Sequence, residues 1–141
     1  MAWTVRRLFP ADAAAFEKDF GFWEAAFLSH PGAVAFGAFA GETAIGLGWG
    51  FVLPRPDGEL MFFLYSLDVL SAWRNRGIGT AIVKELCGFA EESGYRKVFL
   101  LTEESNPAAC RVYEKAGLSA KHPDDRLYER RINGKKEHLR G

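Results

Sequence analysis

The stretch VLSAWRNRGIGTAIVKEL, residues 69–86, decides the fold, because a small-residue loop within it joins an apolar run to an amphipathic helix. The loop reads Arg74-Asn75-Arg76-Gly77-Ile78-Gly79-Thr80. Glycine allows backbone angles that turn consecutive N–H groups inward, and the first amides of the following helix are unpaired and favour negative charge. The two arginines add positive charge beside them. We therefore predict that the loop binds an anion of the size of a diphosphate.

The spacing of this loop excludes two common nucleotide-binding motifs. No Lys-Ser/Thr pair follows Gly79, as a P-loop requires, and position 82, where the dinucleotide fingerprint has its third glycine, is Ile82. Two alternative interpretations stay open: a phosphate site for another nucleotide, and a tight turn that only caps the helix.

Apolar patterning on both sides of the loop predicts an α/β fold with a mixed sheet flanked by helices. Residues 60–70 form a nearly continuous apolar run, which is typical of a strand in the middle of a sheet. Residues 96–102 predict a strand parallel to it through a right-handed crossover. Further strands are expected at 3–8, 33–40, 43–52, 117–121 and 126–132, and helices after Pro10, around 23–28, from the loop to Gly94 and from Asn106 to Gly117.

Composition limits the class of protein. A chain of 141 residues suggests one domain, expected at 1–132 with a polar tail at 133–141, and 48% apolar residues exclude an intrinsically disordered protein. Eighteen basic and eighteen acidic side chains cancel, which argues against a nucleic-acid partner. Residues 31–54 carry one charge, but the Gly41-Glu42 pair in their middle predicts a hairpin rather than a membrane span.

Cysteine usage and the amino-terminal residues indicate the compartment. Cys87 and Cys110 are too few for a disulfide framework and lack metal-binding spacing, so we expect reduced, buried thiols and no metal site. The charged first twenty residues do not resemble a signal peptide. The expected location is the cytoplasm.

A second motif follows at Asn106-Pro107-Ala108-Ala109-Cys110-Arg111-Val112-Tyr113-Glu114-Lys115-Ala116-Gly117-Leu118. Asn106 stands at a helix start, and Tyr113 lies two turns further along the same face. Alone, these two residues are explained as a helix cap and a packing residue. Together, Arg74-x-x-Gly77-x-Gly79 and this second motif resemble the two signature motifs of the GNAT superfamily of N-acetyltransferases. The resemblance covers residues 3–132.

The resemblance implies a fold, a cosubstrate and roles for named residues. The GNAT fold has a mixed sheet of six to seven strands, with strands four and five splayed apart, flanked by about four helices. Acetyl-CoA is expected to pair its pantetheine arm with the strand that ends Leu67-Asp68-Val69 and to place its pyrophosphate on the loop 74–80. Asn106 is expected to contact the arm, and Tyr113 to donate a proton to the leaving thiolate. The amine attacks the thioester directly in a ternary complex.

Within the superfamily, the sequence is most similar to the small aminoglycoside 3-N-acetyltransferases. The shared stretches are Phe51-Val52-Leu53-Pro54-Arg55 and Leu64-Tyr65-Ser66-Leu67-Asp68-Val69. Those enzymes carry an acidic residue after the tyrosine, where this chain has Ser66. A polycationic acceptor, which would make the chain an antibiotic-resistance enzyme, needs carboxylates from elsewhere. The candidates are Asp19 and Glu24 near the first helices and Asp124 and Asp125 between the last predicted strands.

Several alternatives stay open for the acceptor. A polyamine, a peptide or a protein amine fits the same chemistry, and so does a coenzyme A-binding module without turnover. Aromatic residues are expected either to line the acceptor pocket or to pack in the core: Phe20, Phe22, Trp23 and Tyr65. Family analogy also suggests a homodimer.

Overall fold

A mixed sheet carries the structure, and its strands lie side by side in chain order. The structure is a computed structural model, and it describes residues 2–122 and 124–132. Within these residues the sheet has five strands: β1 (Thr4–Arg7), β2 (Ala33–Ala40), β3 (Thr43–Pro54), β4 (Leu60–Val69) and β5 (Val98–Phe99). Neighbours from β1 to β4 are antiparallel, whereas β4 and β5 are parallel. The predicted α/β class and the parallel crossover are confirmed.

Helices cover both faces of this sheet. In the described part of the chain they are α1 (Ala13–Phe20), α2 (Ile78–Glu92) and α3 (Pro107–Lys115), with 3-10 turns at Pro10–Asp12, Phe27–Ser29 and Ser71–Trp73. On one face, α2 buries Ile82 and Leu86 in a cluster with Phe62. On the other face, Phe16 of α1 is fully buried in a cluster with Leu47. The sheet is therefore the middle layer between two apolar cores.

The hairpin between β2 and β3 has the form that the sequence predicts. All eight residues of β2 are buried, because the strand is central and both of its faces are covered. The turn contains Gly41 at a φ of 61°, a left-handed angle that favours glycine. Among the described residues, no helix combines the length and the apolar character needed to cross a membrane.

A β-bulge interrupts the pairing of β3 with β4. Trp49 lies opposite Ser66 and Gly50 lies opposite Leu64, so Tyr65 is an extra residue on β4. A Cβ at Gly50 would collide with the carbonyl oxygen of Phe63. Glycine at this position therefore permits the close approach of the two backbones on which the bulge depends.

The carboxyl-terminal strand predictions are wrong. Residues 117–121 and 126–132 form no strand, and the sheet has five strands in the described residues instead of six to seven. Leu118 packs on the core without pairing to a strand, and the exposed side chains of Leu127, Tyr128 and Ile132 show that 126–132 covers no apolar surface. A strand pair without a packed face is marginal in water. The predicted tail at 133–141 lies outside the described residues.

Two further elements are shorter than predicted. The strand expected at 96–102 pairs only at Val98–Phe99, because the chain leaves the sheet there and Leu101 is exposed. The helix expected around 23–28 is only the 3-10 turn Phe27–Ser29. Gly21 ends α1 with a φ of 78° and Pro31 follows ten residues later, which leaves little room for a cooperative helix.

Candidate active site

A cleft opens where β4 and β5 part. The parallel pairing holds only at Phe62 and Phe63, and the N–H of Phe62 donates to the carbonyl of Lys97 at 2.9 Å. Beyond that point, residues 64–69 continue along β3 with no strand on their other side in the described residues. This unpaired length of β4 is an edge to which an extended molecule can add as a strand.

Backbone alternation identifies which groups of β4 face the cleft. Past the bulge, the N–H of Leu70 donates to the carbonyl of Ile45 on β3 at 3.0 Å. Because backbone groups alternate in direction along a strand, Leu67 and Val69 direct their N–H and C=O groups into the cleft. Asp68 directs its own toward β3. Leu67 and Val69 can therefore form backbone hydrogen bonds with a ligand in the cleft, whereas Asp68 can offer only its side chain.

The glycine-containing loop lies at the end of this open edge. The first bond within α2 runs from the N–H of Ala81 to the carbonyl of Gly77 at 3.0 Å. The N–H groups of Ile78, Gly79 and Thr80 precede it, so they have no acceptor within the helix. The Ile78 side chain is buried in the core, which leaves only its amide for a ligand. Three consecutive donors thus point out of the helix start.

Left-handed backbone angles shape the turn before these donors. Asn75 has a φ of 63° and Gly77, the N-cap residue, has a φ of 82°. Gly79 is an ordinary helical residue, and a Cβ there would lie 3.5 Å from Leu67 and 3.6 Å from Val112, which is normal contact. The two glycines of the motif therefore differ: Gly77 allows the turn, whereas a Cβ at Gly79 would fit where α2, α3 and β4 meet.

Both arginines of the loop fold back onto neighbouring groups. Arg74 Nε donates to the carbonyl of Val69 at 2.9 Å, and its guanidinium lies 3.6 Å from the carboxylate of Asp68. The guanidinium of Arg76 stacks over the ring of Trp73 at 4.8 Å. Arg74 and Asp68 remain more than half exposed, so the pair between them is weak and exchangeable. Two mobile positive charges thus flank the amide donors.

The second motif forms α3, which packs beside the loop. The Oδ1 atom of Asn106 accepts a hydrogen bond from the N–H of Ala109 at 3.2 Å, and Pro107 occupies the first helical position. Tyr113 is partly buried against the same core as Val69. Burial, with a smaller contribution from Cys110, raises the pKa of the Tyr113 hydroxyl above its usual value. The phenol therefore stays protonated through neutral pH.

The predicted acceptor residues fall in two places. Ser66 is 8% exposed, directly after the bulge on β4. Asp124 and Asp125 lie in an exposed turn, where the N–H of Asp125 donates to His122 at 2.9 Å. No hydrogen bond or ion pair among the described residues connects these two carboxylates to the sheet.

Comparison with known proteins identifies the family. The sequence profile of the acetyltransferase (GNAT) family matches residues 2–118. The chain belongs to the GNAT family of acetyltransferases. Its open mixed sheet, with β4 and β5 parallel and parting after two residues, is the GNAT fold.

Individual relatives of this GNAT chain act on different acceptors. Mycothiol acetyltransferase from Corynebacterium glutamicum is 31% identical over 117 residues, which is 83% of this chain. The chain spans less than half the length of the curated relatives it matches, and 34% of that enzyme. An aminoglycoside acetyltransferase from an uncultured soil metagenomic sample has a TM-score of 0.77 at 19% identity, covering 92% of this chain and 97% of its own.

A second solved structure is equally similar in fold. The ribosomal-protein-alanine N-acetyltransferase from Brucella melitensis biovar Abortus 2308 has a TM-score of 0.77 at 23% identity, covering 94% of this chain and all of its own. At such identities these structures share the fold with this GNAT chain, and they do not decide between a sugar amine and a protein amine.

Sequence reasoning missed part of the aromatic surface of this GNAT domain. Of the four aromatic residues singled out, Phe20 and Trp23 pack on the core residue Phe16, at ring distances of 5.4 and 5.5 Å. Tyr65 instead stacks on Trp49 at 5.0 Å and is 40% exposed. The alternation of side chains along β3 and β4 could have predicted this contact, because it places every second residue on the same face.

Proposed function

We propose that this chain is an N-acetyltransferase that moves the acetyl group of acetyl-CoA to a primary amine of a small molecule. The observation that carries the proposal is the position of the three amide donors directly after the open edge of β4. Coenzyme A has a diphosphate and a pantetheine arm with two amides. It can therefore use the helix start and the strand edge at the same time.

The diphosphate binds at the loop. The amides of Ile78, Gly79 and Thr80 donate to its oxygens, and Arg74 and Arg76 turn from their present partners to add charge. Each charge-assisted hydrogen bond contributes about 1.5–3 kcal/mol, so a few of them outweigh the desolvation of the loop. Asn75 contributes through the left-handed turn that precedes the donors.

The pantetheine arm adds to the sheet beside β4. Leu67 and Val69 supply backbone groups, and Asp68 acts through its side chain by holding Arg74 near the cleft. Arg74 must release the Val69 carbonyl before the arm can pair with it. Asn106 uses its oxygen for the helix cap, which leaves its NH2 group to donate to the arm.

The reaction proceeds by direct attack. The neutral amine nitrogen adds to the thioester carbon, and the oxyanion that forms accepts hydrogen bonds from amides of β4 near the bulge. The C–S bond then breaks, Tyr113 donates its proton to the leaving thiolate, and the former amine nitrogen loses its surplus proton to water. Free thiols have a pKa of about 8.5, below that of the phenol, so Tyr113 acts only while the C–S bond breaks, and its phenolate then regains a proton from water.

The acceptor class is the finer part of the proposal. Similarity to the aminoglycoside enzymes in residues 51–55 and 64–69 supports an amino-sugar acceptor, and Ser66 in place of an acidic residue weakens it. The fold shared with a ribosomal-protein-alanine N-acetyltransferase keeps a peptide amine as the alternative. Free cysteines at Cys87 and Cys110 agree with our proposal of a reducing, cytoplasmic location.

Thiol release tests the function. Acetyl-CoA is mixed with a panel of amines, and free coenzyme A is followed with a thiol reagent while calorimetry measures cofactor binding. Turnover that disappears in Tyr113→Phe, with an unchanged affinity for coenzyme A, supports the proposal. Tyr95→Phe is the matched control, because Tyr95 packs on Phe89 at the far end of α2. Tight binding without turnover of any amine would indicate a coenzyme A-binding module instead.

A further inference from the structure

Four aromatic rings form a continuous strip across three strands of the sheet. Trp49 on β3 stacks on Tyr65 of β4 at 5.0 Å and 22°. Tyr65 meets Phe63 edge to face at 5.8 Å, and Phe63 stacks on Phe99 of β5 at 5.0 Å and 21°. We call these four residues the aromatic strip. It crosses the sheet at the point where β4 and β5 begin to part.

The strip lies on the face of the sheet opposite α2. A Cβ at Gly48 would point at Ile82 and Leu86 of α2, so its neighbour Trp49 points the other way. Phe62 belongs to the core under α2, which places Phe63 on the opposite face by the same alternation.

Side chains already occupy the α2 face at this end of β4. There Leu67 of β4 and Val112 of α3 lie beside Gly79, in the first turn of α2. The strip covers the other face, and this is the side from which we expect an acceptor to approach.

The strip is partly open to solvent, unlike the aromatic core. Tyr65 is 40% exposed and the other three rings are partly exposed, whereas Phe16 in the adjacent core is fully buried. The bulge that inserts Tyr65 interrupts the ladder and requires Gly50 on the facing strand. A bulge beside a cleft re-aims a side chain, and here it places Tyr65 next to Ser66 at the reacting end of β4.

The chemistry of the strip suits one class of ligand. Flat aromatic faces bind other rings by stacking and attract cations. The ammonium of Lys97 already lies 5.5 Å from the centre of the Phe99 ring. The carboxylate of Asp68, on the open length of β4, already lies 3.6 Å from Arg74.

We infer that the acceptor is an arylalkylamine, a primary amine on a short chain attached to an aromatic ring. The inference rests on the proposed function and narrows its acceptor. The ring stacks on the outer face of Tyr65, whose inner face lies on Trp49, and the short chain carries the amine to the thioester where β4 and β5 part. An ammonium group of a polycationic sugar can also lie on an aromatic face, but a sugar has no flat ring with which to stack on Tyr65.

A matched panel of amines tests this class. The kcat/KM values of 2-phenylethylamine and tryptamine are compared with those of 2-cyclohexylethylamine, butylamine, spermidine, kanamycin and an alanine-starting peptide. We expect the aryl amines to exceed the cyclohexyl compound by about 10-fold, because stacking requires a flat ring. If kanamycin, spermidine, the peptide or an aliphatic amine is acetylated as well as the aryl amines, the acceptor class is wrong and the proposed function stands.

Substitutions in the aromatic strip test whether Tyr65 causes the preference for aryl amines. Tyr65→Ala should raise the KM for 2-phenylethylamine about 10-fold and leave that for butylamine and the affinity for acetyl-CoA unchanged. Tyr65→Phe keeps the ring, so it should raise the KM for 2-phenylethylamine less than Tyr65→Ala does. Tyr128→Ala, at an exposed tyrosine outside the strip, is the control. If Tyr65→Ala raises the KM for both amines equally, the inference is wrong. If no amine is acetylated although acetyl-CoA binds, the proposed function is wrong as well.

Discussion

At the residue scale, the two glycines of the loop should respond differently to replacement by alanine. Gly77 has a φ of 82°, so alanine there is strained by about 1–2 kcal/mol and shifts the turn that aims the amides. Gly79 is helical, and a Cβ has room beside Leu67 and Val112. We expect Gly77→Ala to weaken coenzyme A binding about 10-fold and Gly79→Ala to change it by less than about 3-fold, measured by calorimetry. Equal losses would show that the turn angle is not what presents the donors.

Tyr113 sets a prediction for the pH dependence of the reaction. Burial raises the pKa of its hydroxyl, so the group keeps its proton, and its capacity to act as an acid, up to a pH above about 10. We therefore expect kcat to show no loss from Tyr113 ionisation between pH 6 and about 9.5, measured under saturating substrates. A decline of kcat with a midpoint below pH 9, accompanied over the same range by tyrosinate absorbance that Tyr113→Phe lacks, would mean that the phenol ionises early and has another role.

At the element scale, the bulge of β4 depends on a glycine of the neighbouring strand. A methyl group at Gly50 would run into the Phe63 backbone, so Gly50→Ala should destabilise the fold by about 2–4 kcal/mol or shift the register. Gly88→Ala is the matched control, because it lies inside α2 with open space around it and should gain about 0.5–1 kcal/mol. Urea unfolding measures both. A Gly50→Ala variant as stable as Gly88→Ala would remove the structural basis of the bulge.

The elements with strong local signals are the ones that the sequence predicts well. β2, β4 and α2 have long apolar patterns, and the loop between β4 and α2 follows from its glycines. The motif residues of the loop and of α3 lie where their spacing predicts. Residues 126–132 contain only three apolar side chains among four charged ones, and no strand forms there, because a strand also needs a partner and a face to bury.

The acceptor side was harder to predict because its determinants are not local. The extra residue Tyr65 is recognised only when β4 is set against β3, since the glycine that permits it is Gly50, fifteen positions earlier. The bulge also decides that Leu67 and Val69, rather than Asp68, face the cleft. A one-residue shift of this kind reverses every backbone direction after it, and no pattern within β4 alone reveals it.

At the scale of the whole molecule, binding of the cosubstrate should raise the free energy of unfolding. A ligand at 100 times its Kd adds about 2.7 kcal/mol to the free energy of unfolding. For a chain of this size that corresponds to a rise in Tm of roughly 5–10 °C. We expect coenzyme A and acetyl-CoA to give this shift in thermal melts, and ATP and NAD at equal concentration to give much less. A larger shift with NAD or ATP would assign the loop to another nucleotide.

The early parting of β4 and β5 also affects how readily the protein aggregates when no cosubstrate is bound. A row of free N–H and C=O groups is a template for any passing strand, including one from a sister molecule. In the binding mode that we propose, the thioester carrier occupies that row. The molecule that supplies the acetyl group would then also shield the chain against edge-to-edge aggregation, and a cell depleted of it would hold the protein in its most aggregation-prone state.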